Sequence, residues 1–193
     1  MKKVDTRPSE GRLPRGQRIV DGWPILDLGY QPNIPLDKWR LEVKGLVENP
    51  VILTHDDILK LPQAEVMADW HCVTTWSMYD NLWQGVLLKD ILELVKPKEE
   101  GKFLYFTSYD DYSTNVPLDV AMEDDSLLVY GRNGEKLSRA NGGPYRTVVS
   151  QRYAWKSAKW IKSIEVLPKD KMGYWELRGY HNNADYRYNE RYS

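Results

Sequence analysis

Only one stretch of this chain, "GVLLKDILELVKP" at residues 85–97, repeats its apolar residues at helical spacing over more than two turns. Everything else that can be buried comes in short runs closed by Gly, Pro or Asn, so the fold must be assembled mainly from strands. In the helical stretch Val86, Leu87, Ile91, Leu94 and Val95 form the apolar stripe and Pro97 ends it. "THDDILKLP" predicts a second, short helix, with Thr54 as N-cap, Asp57 three residues on and Pro62 as the stop. Strands are predicted at "WRLEVKGLV", "AEVMADWHCV", "KFLYFTSY", "SLLVYGRNGEKL", "YRTVVSQ" and "WIKSIEVLP", with Asn133-Gly134 as a hairpin turn. Many strands with few, short helices make the class α+β, with mixed β-sheets.

The chain has 193 residues, 41% of them hydrophobic, which suits one core-forming domain. Residues 1–22 are polar and rich in Gly, Pro and Arg, so they are expected as an N-terminal arm on a domain spanning 23–193. A net charge of −1 gives no global attraction to nucleic acid or membrane, and no segment has the roughly 20 apolar residues of a membrane helix. The first residues lack the apolar region of a signal peptide, and a cytoplasmic location is expected.

One cysteine excludes an internal disulfide, and it sits in "DWHCVTTWS", residues 69–77. Three readings stay open on the residues alone. A free cysteine is often a small buried hydrophobe. It could be a nucleophile, but in an extended segment His71 and Cys72 point to opposite faces, so the base would be His55 or His181. Or it could ligate a soft metal; a single thiolate cannot build a protein-only site, so a cofactor would bring the other donors.

A second cluster lies in "GGPYRTVVSQRYAWKSAKWIKSI", where Arg146, Arg152, Lys156, Lys159 and Lys162 alternate with Tyr145, Tyr153, Trp155 and Trp160. In a chain of near-zero charge such a segment suits a phosphate or pyrophosphate. A solvated basic face, or a platform for single-stranded nucleic acid, would look the same in sequence.

"HCVTTWS", "LWQGVLLKDIL", "NGEKLSRANGGPYRTVV" and "YAWKSAKWIKSIEV", in that order, resemble the molybdopterin-binding domain of the sulfite oxidase superfamily over roughly residues 23–190. The likeness is nearest in character to the small haem-free bacterial members and more distant to the catalytic subunit of methionine-sulfoxide reductase. It implies a mixed-sheet fold around one molybdenum-molybdopterin, with Cys72 as the metal's protein ligand between His71 and Val73 at the cofactor. It further implies that Thr107, Asn141 and Arg146 contact the pterin and its phosphate. Lys156, Ser157, Ala158 and Lys159 match the phosphate-binding K-S-x-K, and Tyr180 takes the place of an active-site tyrosine near the metal.

Departures from the family pattern bear on the substrate. The arginines with which sulfite oxidases surround their anion are missing from "WPILDLG" and "CVTTWS". The resemblance therefore points to oxygen-atom transfer with a neutral small-molecule S- or N-oxide, in a pocket lined by Trp76, Tyr180 and His181. It leaves electron supply to a separate protein or small carrier. A cofactor carrier without turnover and a Cys72 hydrolase are the competing readings.

Overall fold

A computed structural model describes all of residues 1–193. Two β-sheets carry the chain. Seven strands make the first: β1 (Lys2–Asp5), β2 (Arg18–Ile19), β5 (Ala64–Cys72), β6 (Trp76–Leu87), β9 (Ser126–Arg132), β10 (Glu135–Lys136) and β11 (Arg146–Val149). Five make the second, in the order β4 (Val51–Leu53), β3 (Leu41–Gly45), β12 (Ile161–Leu167), β7 (Phe103–Ser108) and β8 (Ser113–Pro117). The helices are α1 (His55–Lys60), α2 (Leu88–Val95) and the single turn α3 (Leu118–Ala121). The architecture is α+β with mixed sheets: β3 runs parallel to β12, while β7 and β12 are antiparallel.

Local chemistry accounts for several boundaries. Thr54 caps α1 by accepting from the Asp57 amide, and the Asp57 carboxylate accepts from the Thr54 amide in return, a reciprocal capping box. Asn133 and Gly134 both take positive φ, as the tight turn between β9 and β10 requires. The start of α2 departs from expectation. Val86 and Leu87 do not belong to the helix but end the twelve-residue β6, paired with Leu128 and Leu127 of β9. Sheet pairing with a buried partner strand outweighs the helical pattern there. The helix buries Leu88, Ile91, Leu92 and Val95 instead, and leaves Leu94 42% exposed. Each of those four side chains contributes roughly 1.5–3 kcal/mol by leaving water.

The expected arm contributes structure of its own. β1 adds in parallel to β5 and β2 in parallel to β6. Between them Arg12 grips the buried Asp69 carboxylate with two nitrogens at 2.7 and 2.8 Å. The first core cluster packs Trp39, Phe106 and Ile164 against α2. The second lies on the seven-stranded sheet, around Trp70, Trp83 and Tyr153, and Cys72 is part of it.

Candidate active site

β5 delivers the cysteine. It ends at Cys72, turns through Val73–Thr75 with Thr75 at φ 75°, and returns as β6 with Trp76 opposite Cys72. Strand alternation puts Trp70 and Cys72 on one side and His71 on the other. His71 is fully buried, with Nδ1 2.8 Å from the Ser77 hydroxyl and its ring 4.2 Å from that of Tyr186. Burial pulls its pKa down to about 4, so the imidazole is neutral. The Cys72 thiol lies 3.1 Å from the Thr74 hydroxyl. Burial pushes its pKa up, against the pull of Thr74 and of the Arg191 charge. No histidine serves it as a base. His55 Nδ1 meets the Tyr145 hydroxyl at 2.7 Å, and His181 Nδ1 accepts from the Ala184 amide at 3.2 Å. A raised thiol pKa without a base is the reverse of what a cysteine hydrolase needs, and that reading falls.

Cys72 opens into a cavity of about 380 Å³. One wall is the segment Trp23–Leu28; the others come from the Cys72–Trp76 turn, Asp110 and Tyr112 of the β7–β8 turn, the 154–160 segment, and Trp175 with Tyr180. Of the expected residues the structure gathers Cys72, Val73, Trp76, Arg146, Ser157, Lys159 and Tyr180 around this one space.

Two cations, Arg146 and Lys159, and two carboxylates, Asp27 and Asp110, line it without forming an ion pair. Arg146 is 3% exposed, and all of its side-chain hydrogen bonds run to carbonyls: Nε to Thr147 at 3.2 Å, Nη1 to Asn141 at 3.0 Å and Nη2 to Ser157 at 3.1 Å. The guanidinium also sits over the rings of Trp70 and Trp23, at 5.3 and 5.4 Å. Lys159 Nζ donates to the Ala140 carbonyl at 2.7 Å. Neither cation forms an ion pair with a carboxylate. Burial pulls Arg146 down to about 9, and burial together with the Arg146 charge pulls Lys159 down to about 8. The buried amide oxygen of Asn141 has no partner. Gly142 lets the loop pass between the cations: at φ 101°, a Cβ there would come within 3.1 Å of the Cβ atoms of both Lys159 and Arg146. A buried guanidinium such as Arg146, with no carboxylate paired to it, is costly until an anion is bound.

Other expected residues lie outside the cavity. Thr107 sits on β7 opposite Ser113 and Ser163, and it is the following turn that enters the site. Lys156 is buried behind the wall, with Nζ 2.6 Å from Glu176 Oε1 and 2.7 Å from Asn115 Oδ1, so its charge is already neutralised. The same Glu176 oxygen accepts from Trp155 Nε1 and Thr114, which fixes the indole of Trp155 in the cavity wall. Ala158 turns its amide to the Thr147 hydroxyl at 2.7 Å. Arg152 is buried beside Asp185. His181 does not line the pocket; it is tied to the Ala184 turn and to Glu190. Sequence reasoning missed the Trp23–Leu28 wall, Trp70, Asp110 and Tyr112. The one available signal was the run of apolar residues in "DGWPILDLG", Trp23, Ile25, Leu26 and Leu28 around Pro24, which suits a packed loop.

Residues 28–175 match the family described as the oxidoreductase molybdopterin binding domain. The chain belongs to that family. It is 40% identical over 191 residues to the uncharacterized oxidoreductase YuiH of Bacillus subtilis, covering 97% of this chain and 96% of that protein. It is 33% identical to the protein-methionine-sulfoxide reductase catalytic subunit MsrP of Campylobacter jejuni, covering 75% of this chain and 54% of that one. The chain thus spans about half the length of such reductases. Among solved structures, the sulfane dehydrogenase SoxCD of Paracoccus pantotrophus superposes with a TM-score of 0.66 at 25% identity, over 72% of this chain and 40% of that one. The protein is a molybdopterin-dependent oxidoreductase of sulfite oxidase-type fold. The cavity fits the cofactor chemically, with a buried arginine and a half-buried lysine, neither in an ion pair, for a phosphate and one soft thiol for a metal.

Proposed function

We propose that this protein reduces a neutral S- or N-oxide at the Cys72–Tyr180 end of the cavity. The observation that carries the reading is that no charged side chain lines that end. Val73 and Thr74 follow Cys72, Trp76 faces it across the turn, and the Tyr180 ring packs on Trp155 and Trp175 at 5.1 and 5.0 Å. Arg191 is the cation that acts on Cys72, but it does not line the cavity: its guanidinium is held outside by the carbonyls of Val73 and Arg15 and by Asn189. A sulfite dianion would have to shed its water there without a fixed cation to offset the loss.

In this reading Cys72, as a thiolate, completes the ligand set of the metal, and Val73 closes the turn beside it. Arg146 and Lys159 hold the pterin's phosphate, with Ser157 in the same wall and Asn141 behind it, its carbonyl accepting from Arg146. His71, Thr107, Lys156 and Ala158 act at one remove by shaping the strands and loops that carry these groups. When bound, the molybdenum centre supplies two-electron oxygen-atom exchange. The aromatic wall excludes water and holds the apolar part of the substrate. The Tyr180 hydroxyl, which bonds to no other protein atom, donates to the oxide oxygen. Two electrons and two protons then convert the oxide to the sulfide or amine and water, the electrons coming from a separate donor. Residues 23–193 form the cofactor domain, buttressed by the arm 1–22, and the setting is cytoplasmic.

The test compares reduction of dimethyl sulfoxide and trimethylamine N-oxide by a dithionite-reduced viologen with sulfite oxidation by ferricyanide. Oxide reduction is expected to be the faster by kcat/KM and to fall about 10- to 100-fold in Tyr180→Phe. Efficient sulfite oxidation at micromolar KM would overturn the reading.

A further inference from the structure

Behind the loop that closes the cofactor cavity lies a second cavity, of about 500 Å³. Tyr145 lies behind one wall, fully buried, stacked on Trp39 at 4.0 Å and met edge-on by Tyr130, whose half-buried ring also lines the space. Ile34, Leu36, Leu59 and Pro144 give it an apolar side. The opposite side carries Lys136, Arg139 and His55, and no carboxylate lines the space. Neither Lys136 nor Arg139 forms a salt bridge, and neither side chain hydrogen-bonds within the protein. His55 Nδ1 and the Tyr145 hydroxyl share a hydrogen bond at 2.7 Å, which leaves His55 Nε2 as the ring nitrogen without a protein partner. An apolar and aromatic lining beside two unpaired cations and an imidazole nitrogen is the composition of a small-ligand site.

We propose that this cavity binds a small organic anion with a flat apolar body and a carboxylate or phosphate head. The head meets Lys136, Arg139 and His55 Nε2; the body packs against Tyr130 between Leu59 and Pro144. Occupancy is felt by the cofactor, because the two cavities share a wall. The carbonyls of Arg139, Ala140 and Asn141 accept from Trp160, Lys159 and Arg146 on the cofactor side, at 2.8, 2.7 and 3.0 Å. An anion that restrains Arg139 from outside restrains those carbonyls, and the coupling is reciprocal.

The experiment is calorimetric titration of phenyl phosphate into the cofactor-loaded protein, in which the Arg146–Lys159 anion site is already filled. Binding is expected with Kd on the order of 1 mM, as a ligand of this size allows. Lys136→Ala/Arg139→Ala should weaken it at least about tenfold, the neutral analogue benzyl alcohol should bind at least about tenfold more weakly, and Leu59→Trp should fill the space and abolish binding. Equal affinity in the double variant, retained binding in Leu59→Trp, or no binding to the parent protein overturns the site. Saturating phenyl phosphate should also slow release of the pterin, followed by its fluorescence after oxidation. Unchanged release with the ligand bound would overturn the coupling.

Discussion

Arg146→Met separates an anion anchor from a structural arginine, because the two roles predict opposite outcomes for the apo and cofactor-loaded proteins. In the apo protein the guanidinium is buried without an anion, and its fall from 12.5 to about 9 corresponds to a cost of about 5 kcal/mol. Methionine removes that cost but leaves three carbonyls, of Thr147, Asn141 and Ser157, without their donors, at roughly 1–3 kcal/mol each. The two effects are of similar size and opposite sign, so the apo protein should melt within a few degrees of the parent. With cofactor bound, the phosphate loses a charge-assisted partner and affinity falls about 10- to 100-fold, which removes about 1.4–2.8 kcal/mol of ligand-derived stabilisation. For a chain of this length that is about 3–10 °C of the cofactor-dependent rise in Tm. The assay is thermal denaturation of each protein prepared from hosts with and without molybdopterin synthesis, together with pterin occupancy. An apo variant that melts more than about 10 °C lower with the cofactor-dependent rise unchanged would refute the reasoning and make Arg146 a structural residue.

Cys72→Ala should keep the fold and the pterin while losing the thiolate-to-metal charge-transfer absorption, and an unchanged spectrum would show that Cys72 is not the ligand. Because burial raises the Cys72 pKa, metal capture by the parent should release a proton that the alanine variant does not release, measurable in weakly buffered solution. Glu176→Gln leaves Lys156 as an unpaired buried charge and should cost about 3–5 kcal/mol in urea denaturation, whereas Lys156→Met/Glu176→Gln should recover most of the loss. If the double variant is as unstable as the single one, the ion pair is not the source. Lys159 has a folded pKa near 8, against 10.5 when unfolded, so between those values the unfolded chain binds more protons. Apo stability relative to Lys159→Met should therefore rise as pH climbs from about 8 to about 10.5, with no relative change below. Melting curves across that range check the sign, and a falling difference would contradict it.

Local rules written in the sequence decided much of this protein. The Thr54–Asp57 capping box, the Asn133-Gly134 turn and the alternation in β3, β7 and β12 need only neighbouring residues, and they hold in the structure. The lone thiol and the basic aromatic segment were also legible, because their chemistry narrows what they can bind whatever the fold. Contacts between distant segments decided the rest. Val86 and Leu87 fit a helical stripe until Leu127 and Leu128 of β9 claim them. His71 and Lys156 stand in the right motifs, yet strand alternation turns one away from the cavity and Glu176, twenty residues on, neutralises the other. The wall at Trp23–Leu28 exists only because the arm is threaded into the seven-stranded sheet on one side of it. The unpaired charge of Arg146 belongs to the same class, since no short stretch of sequence can say whether a carboxylate will arrive beside a buried cation from elsewhere in the chain. That none pairs with Arg146 is a property of the tertiary arrangement, and the proposed phosphate anchor rests on it.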